Sequence, residues 1–410
     1  MFHVPKSAGG HPRLMMAILA GFAVAIVALF AHQLIDRGKA EAPVAVEPLP
    51  PRPPVVVVED LPSLAARMPA PSGGRDFMGA VLVARGDEVL YRKAWGRADE
   101  TGRALDLDDR FRLASLSKQF TAAAILKLQD EGRLTVDDPL CDFIDDCPEA
   151  WAPIRLRHLL SHTSGVPDLM ARPGWGRVRV TPTTLAELTA ESAKYPLQFE
   201  PGTRIRYDNA GYNLLAAVVE RASGQAFPDY LRTALFEPLG MNDTGFDEGG
   251  DHGIVTGYAN PAGGLTPQTQ PNPSVIYGAG ALYSTLDDML VWTRALHGGR
   301  VLSDNSHAQM IADHAPADTP PERGHPRRDW GYGLFVNTLG QRMDPPFLER
   351  QIYHTGSWSG FRNLVTYQPD QEVTVVVLSN NYHQASEVFL ITQLAMAEAL
   401  GHPVPSGLRR

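Results

Sequence analysis

Ser115, Ser117 and Lys118 stand together at the head of an alanine-rich stretch, Ser115-Leu116-Ser117-Lys118 followed by QFTAAAILKLQDEG. Ser115 and Lys118 are three residues apart, a spacing that places both on one face of a helix. A serine hydroxyl needs a base to attack a carbonyl at neutral pH. Lysine can be that base only where burial or nearby positive charge lowers its pKa. The alanines at 122, 123 and 124 suit a helix packed tightly enough to bury it. Ser115 is therefore read as a nucleophile and Lys118 as its general base. A helix start also offers a backbone N–H to a developing oxyanion. Ser117 is a rival nucleophile, but no lysine follows it three residues on. Lysine is scarce in this chain, six among 37 basic residues, so one inside a motif carries weight.

A second group lies in Pro201-Gly202-Thr203-Arg204-Ile205-Arg206-Tyr207-Asp208-Asn209. In an extended segment Tyr207 and Asn209, at i and i+2, share a side. A phenol near a lysine can relay a proton to a leaving group, and an amide can bind a substrate carbonyl. Tyr258-Ala259-Asn260 repeats the pattern without the Pro-Gly lead and reads as structural. The third group is Tyr353-His354-Thr355-Gly356-Ser357. Its glycine lets a substrate approach the backbone. The Ser357 N–H is a candidate second oxyanion donor, and His354 can orient or protonate a group at the cleft edge.

These residues need a scaffold. Met78–Ala84 and Val89–Trp95 are apolar runs joined by Arg85-Gly86-Asp87-Glu88, a hairpin signal. Leu364–Gln368 and Val373–Ser379 form a second strand pair, and a helix over Ala385–Leu400 closes the chain. Between them lie helical stretches at Lys118–Glu131, Arg155–Leu160, Gly211–Ala222 and Thr285–Leu296. The expected fold is α+β (α/β): one antiparallel sheet built from both chain ends, flanked by helices, with an inserted helical region.

With 410 residues and 44% hydrophobic content the chain can bury a full core. Its net charge of −9 argues against a nucleic-acid partner. Leu14–Ala31 is 18 residues without a charge; at 1.5 Å per residue it spans about 27 Å, close to a bilayer core of roughly 30 Å. It is longer than the usual apolar run of a cleaved signal peptide. It is read as an uncleaved signal anchor, with cleavage after Ala40-Glu41-Ala42 as the alternative. The expected organisation is a cytoplasmic segment 1–13, a transmembrane anchor 14–35, a Pro-rich spacer 36–60, a catalytic domain 61–402 and a tail 403–410. Cys141 and Cys147 are the only cysteines. They form a bridge or remain two free thiols, and they lack the partners of a zinc site.

The three groups in this order resemble the serine β-lactamase and penicillin-binding family, in which Ser-x-x-Lys is a signature. They are most similar to its class C β-lactamase, D-Ala-D-Ala carboxypeptidase and esterase branch. The resemblance runs from about Met78 to Leu400 and includes Asp130–Pro139, Arg157–Gly165 and Leu235–Met241, read as scaffold with His158 and His162 structural. It implies a β-lactamase/transpeptidase-like fold and an acyl-enzyme on Ser115, with the proton going to Lys118. It also implies Tyr207 as proton shuttle, Asn209 on the substrate, and His354, Thr355 and Gly356 as the opposite wall. The N–H groups of Ser115 and Ser357 would hold the oxyanion, and no metal or organic cofactor is needed. The sequence departs from the β-lactamases at His354, where they usually carry lysine. A charge-assisted hydrogen bond is worth about 1.5–3 kcal/mol, so the change disfavours β-lactam binding.

The resulting expectation is a serine hydrolase of amides, peptides or esters in the bacterial envelope, with a peptidoglycan stem peptide or β-lactam as candidate substrates. The inner membrane holds it through the N-terminal helix, or it is released to the periplasm. The alternative is a non-catalytic module of the same fold that binds peptidoglycan or a β-lactam.

Overall fold

The computed structural model describes residues 61–72, 76–250, 252–260, 264–321 and 327–409. The apolar run 14–31 and the Pro-rich segment 36–60 lie outside the described residues. Among the described residues no helix is long and apolar enough to cross a membrane.

The valine-rich run near the C-terminus forms an interior strand, and the hairpin near the start of the domain lies beside it. Strands β1 (Gly79–Arg85) and β2 (Glu88–Trp95) form the hairpin; β3 (Asp329–Trp330), β4 (Phe335–Asn337), β5 (Gln351–Trp358), β6 (Phe361–Gln368) and β7 (Val373–Ser379) complete the sheet. The order is β2-β1-β7-β6-β5-β4-β3, and every pair is antiparallel. Val81 pairs with Val377, so segments near the two chain ends pair within one sheet, as the sequence predicts.

β7 is buried along its whole length because both faces are covered. Alternate residues divide between two cores, as the two-residue period of a strand requires. Val81, Val83, Val375 and Val377 pack with Ile391 and Leu394 of the C-terminal helix, Ala385–Ala399. Ala80, Leu82, Val376 and Leu378 pack on the helical region instead. Coverage on both sides explains why these strands read as continuous apolar runs rather than alternating ones.

The helical region holds the helix that follows the serine, α1 (Ser117–Asp130), and the helix after Asn209, α2 (Ala210–Ser223). A third, α3 (Leu286–His297), bridges α1 and the sheet, with Trp292 stacked on Phe120 at 4.0 Å. α2 runs close to the segment at Gly278, where a Cβ would stand 2.2 Å from the Tyr212 carbonyl oxygen. Cys141 and Cys147 form a disulfide. Residues 403–409, read from sequence as a tail, return to the domain: Gly407–Leu408 pairs with Met343–Asp344. The expected helices appear within a residue or so of their sequence bounds. The short strands β3 and β4 carry no usable periodicity, and β5 is a further strand beyond the two pairs that the sequence predicts.

Candidate active site

Ser115 is not on the α-helix itself. It occupies the middle of a 3₁₀ turn, Ala114–Leu116, that runs directly into α1. Ala114 holds φ at +52°, a left-handed conformation costly for a residue with a Cβ. This turn raises Ser115 to partial exposure while both neighbours are buried. Ser117 is no rival: it is buried, and its Oγ accepts a hydrogen bond from the Leu282 N–H at 3.1 Å.

Lys118 is fully buried. Its Nζ lies 3.4 Å from Ser115 Oγ and donates to Asn209 Oδ1 at 2.8 Å and to the Ala279 carbonyl oxygen at 2.9 Å. Burial lowers its pKa to about 7, against the opposing pull of Asp168 and Asp208. Half of this population is neutral near pH 7, which suits a general base. The serine contact is long for a hydrogen bond, as catalytic contacts often are before substrate arrives.

Tyr207 and Asn209 do lie on one side, though not on a strand. Tyr207 ends an irregular segment and Asn209 is the residue that caps α2. The capping work falls to Asp208, whose Oδ1 accepts the Gly211 N–H. The Asn209 side chain is thereby left for Lys118. Its amide nitrogen donates to Asp168 Oδ2 at 3.1 Å. Lys118 Nζ sits 4.9 Å from the Tyr207 ring centre. Burial raises the Tyr207 pKa, and a hydrogen bond with Ser115 partly offsets this. The phenol therefore stays protonated and is a proton donor, while Lys118 is the available base.

β5 closes the opposite side. Its pairing with β4 stops at Tyr353, so His354–Trp358 has no partner on that edge among the described residues. Gly356 rests against the serine turn, and a Cβ there would stand 2.2 Å from the Leu113 carbonyl oxygen. His354 is buried, and burial together with the positive charge of Lys118 lowers its pKa to about 3. Nδ1 lies 2.7 Å from the Thr355 carbonyl oxygen and donates to it. Nε2 is then a neutral acceptor, buried and without a partner among the described residues. Thr355 and Ser357 are exposed and alternate to the other face of the strand. Ser357 Oγ accepts from Arg362.

Two contributors escaped the sequence reading. His162, read as scaffold, stacks on Tyr207 at 4.4 Å between ring centres and so fixes the plane of the phenol. Asp168 anchors Asn209 from a loop whose sequence carries no distinguishing spacing. His158 is structural as expected, its Nδ1 accepting the Arg155 N–H at the start of the helix Leu156–Leu160. Tyr258 and Asn260 are structural as well: Asn260 Oδ1 accepts from Asn381 at 3.1 Å.

The chain is similar to known proteins over most of its length. The β-lactamase family profile matches residues 64–399. A penicillin-binding protein of Bacillus subtilis (strain 168) is 29% identical over 350 residues, covering 80% of this chain and 73% of its own length. Esterase EstB of Burkholderia gladioli is 30% identical over 354 residues, covering 73% of this chain and 86% of its own. The octameric penicillin-binding protein homologue from Pyrococcus abyssi superposes with a TM-score of 0.70 at 27% identity, over 83% of this chain and 77% of its own. With the profile spanning most of the chain and these relatives alike across most of its length, this protein belongs to the β-lactamase family and is a serine hydrolase.

Proposed function

We propose that Ser115 is the nucleophile and Lys118 the base of acyl transfer to water from an ester, amide or peptide. One observation carries the assignment: a fully buried lysine with its pKa near 7 stands 3.4 Å from a partly exposed serine oxygen. Neutral Lys118 takes the Ser115 proton as Oγ bonds to the substrate carbonyl carbon. The Ser115 and Ser357 N–H groups hold the oxyanion, each such donor being worth roughly 2.7–4 kcal/mol in measured cases. Tyr207 relays that proton from Lys118 to the leaving group as the scissile bond breaks, which leaves the phenol protonated and the amine neutral. Asn209 holds Lys118 in line and contacts the substrate, and His354 Nε2 accepts a substrate N–H. Gly356 and the Thr355 backbone form the wall. Water then attacks the acyl carbon as neutral Lys118 takes its proton, and that proton returns to Ser115 Oγ as the acyl–oxygen bond breaks and the acid is released.

The test is intact mass after incubation with a fluorescent phosphonate or penicillin. The wild-type protein gains one adduct and Ser115→Ala gains none. Equal labelling of both proteins overturns the assignment.

The apolar run 14–31 and the Cys141–Cys147 bridge support a site of action in the envelope, with the chain anchored in the inner membrane and the domain in an oxidising compartment. Protease added to intact spheroplasts should digest the domain; full protection would refute that placement.

A further inference from the structure

The Asn209 amide uses both its N–H groups within the protein. Its Oδ1 accepts from Lys118 at 2.8 Å, and its Nδ2 donates to Asp168 Oδ2 at 3.1 Å and to Met170 Sδ at 3.0 Å. A primary amide has two N–H groups, so one of these acceptors must yield if Asn209 is to hold a substrate carbonyl. Asp168 is the harder to displace. A charged acceptor binds more strongly than a neutral one, and the other Asp168 oxygen accepts the Met170 N–H at 3.1 Å, at the start of the turn Leu169–Ala171. A thioether sulfur is a weak acceptor on a flexible, unbranched side chain. Met170 therefore occupies, with its sulfur, the position of a carbonyl oxygen on the amide.

The same side chain is within reach of dissolved reagents. Among the described methionines only Met68 and Met170 are not buried. Met68 packs with the C-terminal helix, on the other side of the sheet from the helical region. Met170 packs at the margin of the core that carries the site, and Ser115 and Asn209 are partly exposed as well.

A peroxide adds one oxygen to such a sulfur. The sulfur lone pair attacks one peroxide oxygen, an S–O bond forms as the O–O bond breaks, and the displaced hydroxide takes the proton of the transferred oxygen and leaves as water. Sulfur is oxidised by two electrons and the peroxide is reduced by two. The sulfoxide is polar, and its oxygen competes for an N–H that the thioether gives up.

We propose that Met170 is an oxidant-sensitive modification site on the substrate-binding amide. As a thioether it keeps the place of the substrate's acyl-side carbonyl on Asn209 and gives way to it. As the sulfoxide formed by hydrogen peroxide it retains the N–H and excludes that carbonyl. This rests on the acyl-transfer reading of Ser115, with Asn209 as a substrate contact. Turnover of N-acylated amino acids and peptides then responds to oxidant, while that of simple acyl esters does not.

The p-nitrophenyl esters of N-acetylglycine and of pentanoic acid test it, being alike in length and differing in the amide. Wild-type protein is treated with hydrogen peroxide, and Met170 sulfoxide is quantified by peptide mass. KM for the N-acetylglycine ester should rise about tenfold as the sulfoxide accumulates, roughly what one neutral hydrogen bond supplies. Its kcat should stay nearly constant, because the contact is made in ground and transition states alike. KM for the pentanoate should not move, and Met170→Leu should respond to peroxide on neither ester. A folded protein whose Met170 resists peroxide overturns the site, and so does complete Met170 sulfoxide with KM unchanged. Equal losses on both esters, or the same loss in Met170→Leu, also overturn it. Turnover of both esters, before oxidation, no faster than by Ser115→Ala would instead refute the acyl-transfer reading. The Asn209 side-chain N–H resonances of isotope-labelled Ser115→Ala decide the site in that event: a shift on Met170 oxidation supports the contact, and resonances that do not move overturn it.

Discussion

Lys118 Nζ and Asn209 Oδ1 are 2.8 Å apart, the shortest of the contacts that hold the buried lysine in place. The contact settles how the amide faces. With its oxygen committed to Lys118, the nitrogen must face away, and Asp168 accepts from it. The lysine is thus aimed by an amide that is itself aimed by a carboxylate.

The acid limb of the rate follows from Lys118. Its pKa of about 7 lies below the ordinary 10.5, so kcat/KM should rise with pH through a midpoint near 7. Stability changes in the same direction. Between about pH 7 and 10.5 the unfolded chain binds a proton that the folded one has released, so stability increases with pH across that window. Lys118→Met should lack this increment in a comparison of thermal midpoints at pH 7 and pH 9. Parallel curves for the two proteins would refute the buried neutral lysine.

Asp168 raises the Lys118 pKa, and burial raises its own. Asp168→Asn keeps an oxygen for Asn209 and removes the charge. The acid limb should move to lower pH with kcat largely retained at its plateau. Asp168→Ala also removes the acceptor and should cost about tenfold or more in kcat, since an unmade buried hydrogen bond costs roughly 1–3 kcal/mol. A limb that stays in place in Asp168→Asn would mean that the carboxylate acts on packing alone.

Gly356→Ala places a Cβ 2.2 Å from the Leu113 carbonyl oxygen and 2.9 Å from Asn363 Nδ2. Overpacking of this kind costs about 1–3 kcal/mol. Because the strained atom belongs to the serine turn, the loss should appear in kcat/KM as well, on the order of a hundredfold for a displacement near 1 Å. Urea titration and kcat/KM on the same preparation check both. Unaltered turnover would show that the turn does not rest on this glycine.

Cys141 and Cys147 are bridged across a separation of six residues. Thiol titration of the denatured protein should give none before reduction and two after. Loop-closure entropy predicts a loss of about 2 kcal/mol in the Cys141→Ser, Cys147→Ser double variant, read from the denaturation midpoint. Two titratable thiols in the unreduced protein would sink the bridge.

Much of this was legible in the sequence because it rests on short-range geometry. The Ser115–Lys118 interval is a helical spacing, and such a spacing survives the finding that the serine sits on a 3₁₀ turn ahead of the helix. The runs Gly79–Arg85 and Val373–Ser379 announce strands buried on both faces, so the pairing of the chain ends followed from composition. Strands β3 and β4 span only two or three residues, too few to show a period.

The rest depends on residues that meet only on folding. Sequence identified Lys118 as a base in need of a lowered pKa; burial supplied it, while Asn209 and Ala279, 91 and 161 residues away, hold the amine in place. His162 carries no mark of its stacking on Tyr207, because ring contact is a property of packing and not of spacing. The Ser-x-x-Lys, Tyr-x-Asn and His-Thr-Gly groups determined the kind of chemistry, since that needs only the right side chains in order. Which oxygen is free and which histidine is neutral were decided by tertiary structure, because burial and register depend on neighbours distant along the chain.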